Sequence, residues 1–523
     1  MTEVPESINL ATYFIDRHLE AGRRDRTALL APDHAWTYGS LAALMNRIGN
    51  ALLHVGVRRH LRVLLALADS PVFVATWYAA QKIGAVTAEV YTFLHAKDFA
   101  YYIDYTEPAA VITDSDTLER IREALALTRH RPVVLVTGVE SLELKDREMS
   151  LDSLAAEASA ELTATSTEPD DIAIWKFTTG STGEPKACVH PARSALFSHR
   201  CYARGVLAIS EDDIVLPVPK LFFGYARDLT ALYPFGVGAA GIIFHERSTP
   251  ERIFELIARH RPTILVNVPT MMQAMLDHPT APEQDLSCLR LCTSAGEALP
   301  EAIHRRWNAR FGVPVLDGLG SSEAYHIFIS NRPSRIRIGS MGEVVPGYET
   351  DIVDEEGNAV ADGTIGRIRV RGGSIARMYW QAPEKSARTF SNGGVVTGDL
   401  AERDAAGYFW YRGRADELLK SGGIWVAPAE IEACLLEHPD VTEAAVVGIE
   451  RDGLTVIRAV VAARTGAHLA ADDVRAFVRS RLSGHKTPHE VEVVTQLPRT
   501  ASGKIDRRAL RNPSAVAVGI AER

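Results

Sequence analysis

The feature that most constrains the fold is an alternation of short apolar runs with segments of helical length. Apolar runs such as Val63–Leu67, Ala109–Thr113 and Pro132–Val136 are separated by segments with helical spacing, among them Pro71–Ile83 and Thr117–Thr128. Parallel strands need such crossovers and are buried on both faces. The pattern therefore predicts an α/β fold built on parallel sheets.

The pattern of apolar runs, helical segments and glycine turns changes along the chain and divides it into regions. The alternation resumes after the Gly/Ser/Thr-rich stretch near residue 180, which predicts a second mixed or parallel sheet packed on the first. Residues 339–413 contain short apolar runs between glycine turns and are expected to form a small β-barrel. We therefore predict an N-terminal domain over 1–413 and a small α+β domain over 414–523, with the Arg/Asp/Gly-rich stretch 412–423 as its hinge.

Charge and hydropathy exclude several classes of protein. The net charge of the 523 residues is −9, whereas a general nucleic-acid binder is usually basic. No apolar run is long enough to span a membrane, and the polar N-terminus does not resemble a signal peptide. We expect a cytoplasmic protein, monomeric or homodimeric, that binds neither nucleic acid nor membrane.

Residues 177–187 have the composition of a phosphate-binding loop. Hydroxyl residues alternate with Gly180 and Gly183, and Lys186 ends the run. Glycine allows the backbone to approach an anion closely, and lysine can neutralise it. The spacing differs from that of the common G-x-x-x-x-G-K-[ST] nucleotide loop. Taken alone, the stretch could equally be a solvated turn.

Four later stretches accompany this loop in a fixed order: Cys292–Pro300, Asp317–His326, Val396–Leu400 with Tyr411–Arg414, and Pro498–Lys504. Together with residues 177–187 they resemble the adenylate-forming superfamily of acyl-CoA synthetases, adenylation domains and luciferases. The resemblance extends from about residue 20 to 510. It implies that ATP activates a carboxylate as an acyl-adenylate with release of pyrophosphate, and that a thiol then displaces AMP.

The resemblance assigns expected roles to individual residues. Lys186 is expected at the β- and γ-phosphates, Glu323 at Mg²⁺, and Lys504 at the substrate carboxylate and α-phosphate. Rotation at Asp416 would exchange Lys504 for the residues of the thioester step. The nucleotide and CoA contacts are expected from Thr178, Thr179, Gly180, Ser181, Thr182, Gly183, Gly296, Glu297, Ala298, Asp317, Gly318, Ser322, Asp399, Arg414, Lys420, Gly422 and Gly423.

Three departures from the usual motifs are evident. Glu417 follows Asp416 at the hinge, where two aspartates are frequent. Ala187 stands where a glycine usually follows the lysine, which is tolerable unless the backbone requires a positive φ. Leu319 replaces an aromatic residue that often stacks near adenine.

The stretches around Phe222 and Glu323 resemble the benzoate-CoA ligase branch, which implies a flat aromatic acid. Phe222, Phe223, Tyr225 and Ile327 could line an aromatic slot, with Tyr225 or His326 as its polar contact. Gly224 stands where alanine is frequent, so a missing methyl group could admit an amino or hydroxy substituent. The expected substrate-binding residues are Gly224, Tyr225, Ala295, Leu319, Gly320, His326 and Ile327.

Two other functions are left open by the sequence. A stand-alone aryl-adenylating enzyme would load the phosphopantetheine arm of a carrier protein, which shares its thiol chemistry with CoA. A nucleotide-binding scaffold without activity is disfavoured because Lys186, Glu323, Asp399, Asp416 and Lys504 are all present.

The hinge hypothesis predicts a split between the two half-reactions. Asp416→Pro should spare adenylate formation and impair thioester formation, because proline restricts φ at the proposed pivot. Lys504→Ala should do the reverse. Pyrophosphate release and acyl-CoA formation, measured separately, test this split, and an equal loss of both half-reactions in Asp416→Pro would contradict it.

Overall fold

The computed structural model describes residues 7–32, 34–139, 143–179, 185–391, 393–415, 417, 419–421, 424–451, 454–464, 466–500 and 505–511. Two large sheets with helices form the body of the molecule, as the alternating sequence pattern predicts. Among the described helices, none has both the length and the apolar character needed to cross a bilayer.

The first large sheet has six parallel strands at its centre and antiparallel strands at both edges. Its strands, in spatial order, are Glu343–Val344, Ile327–Ser330, Val315–Gly320, Leu291–Ser294, Ile264–Asn267, Ile214–Pro217, Ala240–Ile242, Thr27–Leu30 and Ala35–Thr37.

The second large sheet is parallel except for a hairpin and a short strand at one edge. Its strands, in spatial order, are Met378–Tyr379, Pro185–Pro191, Ile172–Thr179, Val86–Glu89, Arg62–Ala66, Ala110–Asp114, Val133–Thr137 and Glu148–Ser150.

Side chains of alternate residues in each strand enter different hydrophobic cores. Val63 and Leu65 lie in the central core between the sheets, whereas Leu64 lies in an outer core. Val215 and Leu216 divide in the same way in the other sheet. Because both faces are buried, these strands read as continuous apolar runs rather than as alternating ones. This burial explains why the sequence pattern was a dependable guide.

Helices lie between the sheets and on their outer faces. The α-helices are Arg17–Glu20, Tyr38–His54, Pro71–Lys82, Ala96–Thr106, Ser115–Leu127, Leu151–Glu157, Ala192–Ser198, Gly224–Ala231, Pro250–His260, Pro269–Asp277, Glu301–Phe311, Pro383–Thr389, Pro428–Leu435, Ala471–Arg479 and Arg507–Leu510. Thr12–Asp16 and His199–Arg204 are π-helical, and Ala281–Glu283 and Gly484–Lys486 are 3₁₀ turns.

Helix starts follow local capping rules. Ser70 accepts a hydrogen bond from the Phe73 amide ahead of Pro71, and Thr249 caps the helix that begins at Pro250 in the same way. The pattern did not predict the helix Gly224–Ala231, because the adjacent Arg227 and Asp228 are both buried and interrupt its apolar face.

The glycine-rich region is a five-stranded antiparallel sheet where the sequence predicted a small β-barrel. Its strands are Glu349–Val353, Gly366–Arg371, Phe390–Ser391, Gly394–Arg403 and Phe409–Arg414. The C-terminal region contains the pair Leu419–Ser421 and Ile424–Val426 and a sheet of Val441–Arg451, Leu454–Ala463 and Glu490–Val494. The boundaries of domains 1–413 and 414–523 stay a prediction.

Gly342→Ala should destabilise the protein more than Gly357→Ala. Both glycines have a positive φ, 94° and 85°, which costs an alanine about 1–2 kcal/mol. A Cβ on Gly342 would lie 2.0 Å from the Asn331 nitrogen, whereas one on Gly357 would meet nothing within 4 Å. Overpacking adds about 1–3 kcal/mol at Gly342 alone.

Melting temperatures of the two variants measure this difference, and Gly357→Ala serves as the control for the φ cost. Equal losses of stability would contradict the steric argument.

Candidate active site

Several predicted site residues lie where the parallel strands of the two large sheets end. Ala295 and Gly296 follow the strand Leu291–Ser294, and Asp317 lies within Val315–Gly320. Open parallel sheets bind ligands at the carboxyl ends of their strands. The topology therefore brings together residues that are far apart in the sequence.

Both ends of the proposed phosphate-binding stretch, residues 177–187, lie in paired antiparallel strands. Ile172–Thr179 pairs with Pro185–Pro191, and Thr178 lies opposite Lys186. Lys186 is thus a strand residue, where the sequence suggested a loop residue. Gly180, Ser181, Thr182 and Gly183 lie outside the described residues. Ala187 is buried in the strand and has no positive φ, so its methyl group is tolerated as expected.

Glu323 is held in place by a tyrosine that the sequence did not single out. The Tyr379 hydroxyl donates to Glu323 Oε1 at 2.6 Å, and Glu323 is only partly buried. The neighbouring Ser322 carbonyl accepts a hydrogen bond from His190 Nε2 at 2.7 Å. A single carboxylate suits Mg²⁺, which usually binds one or two carboxylates together with nucleotide phosphates.

In the part of the chain that is described, no group of three or more His, Cys, Asp or Glu side chains could hold a metal by itself.

Gly296 lies beside the aromatic ring of Phe223 at the predicted adenine edge. Its φ is 89°, and a Cβ there would lie 3.9 Å from the Phe223 ring. Glu297 accepts a hydrogen bond from the Thr270 hydroxyl, which fixes its carboxylate. Ala298 follows in the same loop, and Gly318 and Leu319 lie in the strand Val315–Gly320.

Asp317 is a buried carboxyl group at the same edge. Burial raises its pKa to about 8, and Oδ1 has no hydrogen-bond partner among the described residues. A buried oxygen left in this state is suited to a donor from a ligand.

Asp399 and Arg414 face each other across neighbouring strands. They occupy paired positions of Gly394–Arg403 and Phe409–Arg414, and Arg414 Nη1 lies 3.2 Å from Asp399 Oδ1. The Asp399 backbone amide donates to the Thr397 hydroxyl at 3.2 Å. The structure thus brings together the two residues that the sequence placed at the ribose.

The predicted acid pocket contains a buried neutral histidine. The His326 ring packs among Tyr202, Tyr225 and Tyr233, with ring centroids 5.5, 5.6 and 5.0 Å away. Burial lowers the pKa of His326 to about 3, and Nδ1 has no partner within the described ranges. The Tyr225 hydroxyl already bonds Thr293 Oγ1 at 2.6 Å. His326 is therefore the better polar contact of the two.

Other predicted pocket residues divide into two groups. Ala295, Gly320 and Ile327 lie on adjoining strand ends, and Ile327 pairs with Gly320. Phe222 instead packs against Tyr91 and Phe93, with ring centroids 4.5 and 5.7 Å away. Phe223 is the aromatic residue nearer to Tyr225, with a centroid distance of 6.2 Å.

The surroundings of Gly224 contradict the prediction that its missing methyl group leaves room for a ring substituent. A Cβ at this position would lie 3.0 Å from Lys176 Nζ and 3.1 Å from Lys176 Cε. The lysine side chain therefore takes the room that the missing methyl was expected to leave for a substituent. Lys176 was not predicted as a site residue, although a lysine inside the apolar strand Ile172–Thr179 was a visible signal.

Several predicted residues lie outside the described parts of the chain, namely Asp416, Gly422, Gly423 and Lys504. Lys420 is described only as part of the strand Leu419–Ser421. Their roles stay predictions.

The fold and these clustered residues define an enzyme of the AMP-binding class. The model of the AMP-binding enzyme family matches residues 16–380, and that of the AMP-binding enzyme C-terminal domain matches 430–504. The first match alone covers more than half of the chain, so the protein belongs to the AMP-binding enzyme family.

Among its relatives is a benzoate–CoA ligase from Thauera aromatica, 38% identical over 98% of this chain and 97% of the relative. A 4-hydroxybenzoate–CoA/benzoate–CoA ligase from Rhodopseudomonas palustris is 35% identical over 96% of this chain and 94% of that protein. An anthranilate CoA ligase, solved in complex with anthranoyl-AMP, superposes with a TM-score of 0.92. It is 33% identical and covers 99% of both chains.

Asp317→Asn should remove a pH dependence of stability. The carboxyl pKa is near 4 in an unfolded chain and about 8 in the fold, so only the folded protein keeps this proton between those values. Its contribution is complete below pH 4 and is lost as the pH rises through 8. Nucleotide-free wild type should lose up to a few kcal/mol between pH 5 and 8, and Asp317→Asn should lose much less.

Urea unfolding at several pH values measures this slope. Asp351→Asn is the matched control, because Arg369 lowers the pKa of Asp351 and the group titrates below this range. An unchanged slope in Asp317→Asn would show that the buried carboxyl is already ionised.

Proposed function

We propose that this protein is an ATP-dependent aryl acid–CoA ligase. It converts a benzoate-type acid to an aryl-adenylate and pyrophosphate, and then to an aryl-CoA thioester and AMP. The observation that carries the proposal is that Tyr379, on a strand paired with the one that carries Lys186, holds Glu323 by a hydrogen bond. Family membership and full-length aryl-CoA ligase relatives support it.

The first half-reaction depends on positioned charge. Lys186 and the hydroxyl residues of 177–187 bind the outer phosphates. Asp399 binds the ribose hydroxyls, and Gly296 flanks the adenine. When Mg²⁺ is bound, it neutralises phosphate charge, and Glu323 is the residue that would hold it. Such preorganised electrostatic contacts require no reorganisation during the reaction. Tyr379 contributes by holding Glu323 in one orientation.

The pocket selects a flat, apolar ring. His326 is neutral at physiological pH because its burial disfavours the imidazolium form. Tyr225 supports the ring of His326, and Thr293 fixes the Tyr225 hydroxyl. A neutral polar wall beside aromatic side chains is compatible with a substituted benzoate, whereas a long aliphatic acid would leave the polar atoms unpaired.

The second half-reaction rests on the C-terminal region. The small domain turns at Asp416, removes Lys504, and brings Lys420, Gly422 and Gly423 to the adenylate.

All five cysteines are free thiols, which agrees with a reducing cytoplasm.

Pyrophosphate release with benzoates, measured with and without CoA, tests this function. We expect acid-dependent release and an aryl-CoA product, and Glu323→Gln should lower the rate of release about 100-fold because it weakens charge stabilisation. Release without an aryl-CoA product would favour a carrier-protein acceptor. No release with any aryl acid would contradict the proposal.

A further inference from the structure

Lys176 is a charged side chain buried beside the acid pocket. It lies in the strand Ile172–Thr179, and its side chain is 7% exposed. Nζ donates to Asp228 Oδ2 and to the Tyr325 carbonyl, both at 2.6 Å. Burial lowers the pKa of Lys176 to about 8 while Asp228 opposes this effect, so the amine is charged at neutral pH.

Lys176 belongs to a buried ionic cluster that consists of Lys176, Arg227, Asp228 and Glu89. Arg227 lies 2.7 Å from Asp228 Oδ1 and 2.5 Å from Glu89 Oε1. Two cations and two carboxylates balance, so the cluster has no net charge. A substituent that carried its own charge would enter the pocket without compensation, which is costly in a buried site.

The ammonium lies against Gly224, a predicted pocket residue. A Cβ at Gly224 would lie 3.0 Å from Nζ, so an alanine would require the lysine side chain to move by a few tenths of an ångström. Gly224 precedes Tyr225, and the Tyr325 carbonyl that Lys176 binds belongs to the peptide that joins Tyr325 to His326. The ammonium is therefore adjacent to the residues that hold the aromatic ring in the proposed function.

An ammonium has three N–H donors. Asp228 and the Tyr325 carbonyl accept two of them, and Nζ lies 3.6 Å from the centroid of the Tyr325 ring, a weak acceptor for the third. We propose that Lys176 is a specificity-determining residue, whose third N–H turns from the Tyr325 ring to a neutral hydroxyl substituent on the ring of the acid. This inference rests on the proposed aryl acid–CoA ligase function and extends it to a hydroxybenzoate as the preferred substrate class.

The Lys176 ammonium is a hydrogen-bond donor, and this favours some substituents on the aromatic ring over others. A phenolic oxygen accepts a charge-assisted hydrogen bond from the ammonium, whereas unsubstituted benzoate leaves the third N–H with only the weaker contact to the Tyr325 ring. An aromatic amine presents N–H donors to another donor. A second carboxylate adds a charge that the balanced cluster does not offset. Hydroxyl is the substituent that satisfies both the hydrogen bond and the charge balance.

A purely structural role for Lys176 makes a different prediction. Tyr325 has a φ of 77°, a left-handed conformation that needs support from its surroundings, and the Lys176 bond to its carbonyl provides some. If Lys176 only supported Tyr325 and His326, its loss would reduce activity towards every ring alike. The ratio of activities between substrates therefore distinguishes recognition from support.

The test compares kcat/KM for benzoate, the three hydroxybenzoates and the three aminobenzoates. Wild type should use one hydroxybenzoate at least about 10-fold better than benzoate or any aminobenzoate, since a charge-assisted hydrogen bond is at stake. Lys176→Met/Asp228→Asn keeps the cluster neutral. It should reduce the hydroxybenzoate-to-benzoate ratio about 10- to 100-fold while benzoate turnover persists.

Two single variants keep the test informative if the double variant does not fold. Gly224→Ala places a methyl group against Nζ and should lower the same ratio by displacing the ammonium. Glu89→Gln changes the charge of the cluster but no contact of Lys176, so it should leave the ratio unchanged.

An equal loss for benzoate and hydroxybenzoate, or a wild type that prefers benzoate or an aminobenzoate, would overturn the inference and leave the ligase function standing. If wild type released no pyrophosphate with any aryl acid, both the proposed ligase function and the inference about Lys176 would be contradicted.

Discussion

The buried ionic cluster of Lys176, Arg227, Asp228 and Glu89 is the contact on which the arrangement of the site depends. Lys176 and Glu89 lie on strands of one large sheet, while Arg227 and Asp228 lie on a helix packed against the other. Buried ion pairs contribute little net stability, but removing one partner typically costs about 3–5 kcal/mol. The cluster therefore fixes the relative position of the two sheets where their parallel strands end.

The geometry of the site depends on this junction between the two large sheets. The hairpin of Ile172–Thr179 and Pro185–Pro191 comes from one sheet, and Leu291–Ser294 and Val315–Gly320 come from the other. Tyr379 lies on a short strand that pairs with the hairpin and orients Glu323 from the opposite sheet. A nucleotide bound across the junction would contact both sheets. Small shifts between the sheets would consequently alter phosphate and acid contacts together.

Much of the fold could be predicted from the sequence because parallel strands that are buried on both faces consist almost entirely of apolar residues. The strands Arg62–Ala66 and Ala110–Asp114 were recognised in this way, and the helix Pro71–Lys82 was recognised by its helical spacing. The helix Gly224–Ala231 was missed because Arg227 and Asp228 find their partners on distant strands. Phe222 was assigned to the acid slot, yet it packs on Tyr91 and Phe93, since neighbouring residues at a helix start point in different directions.

The sequence by itself determined the class of fold, the family and the order of the nucleotide-binding motifs, because these depend on local pattern and spacing. Only the tertiary structure decided what surrounds Gly224, which atoms of Tyr225 and His326 are already bonded, and which tyrosine holds Glu323. These properties arise from contacts between residues that are distant in the chain. No local pattern encodes them, because the lysine that fills the space beside Gly224 lies 48 positions earlier, on a strand of the other sheet.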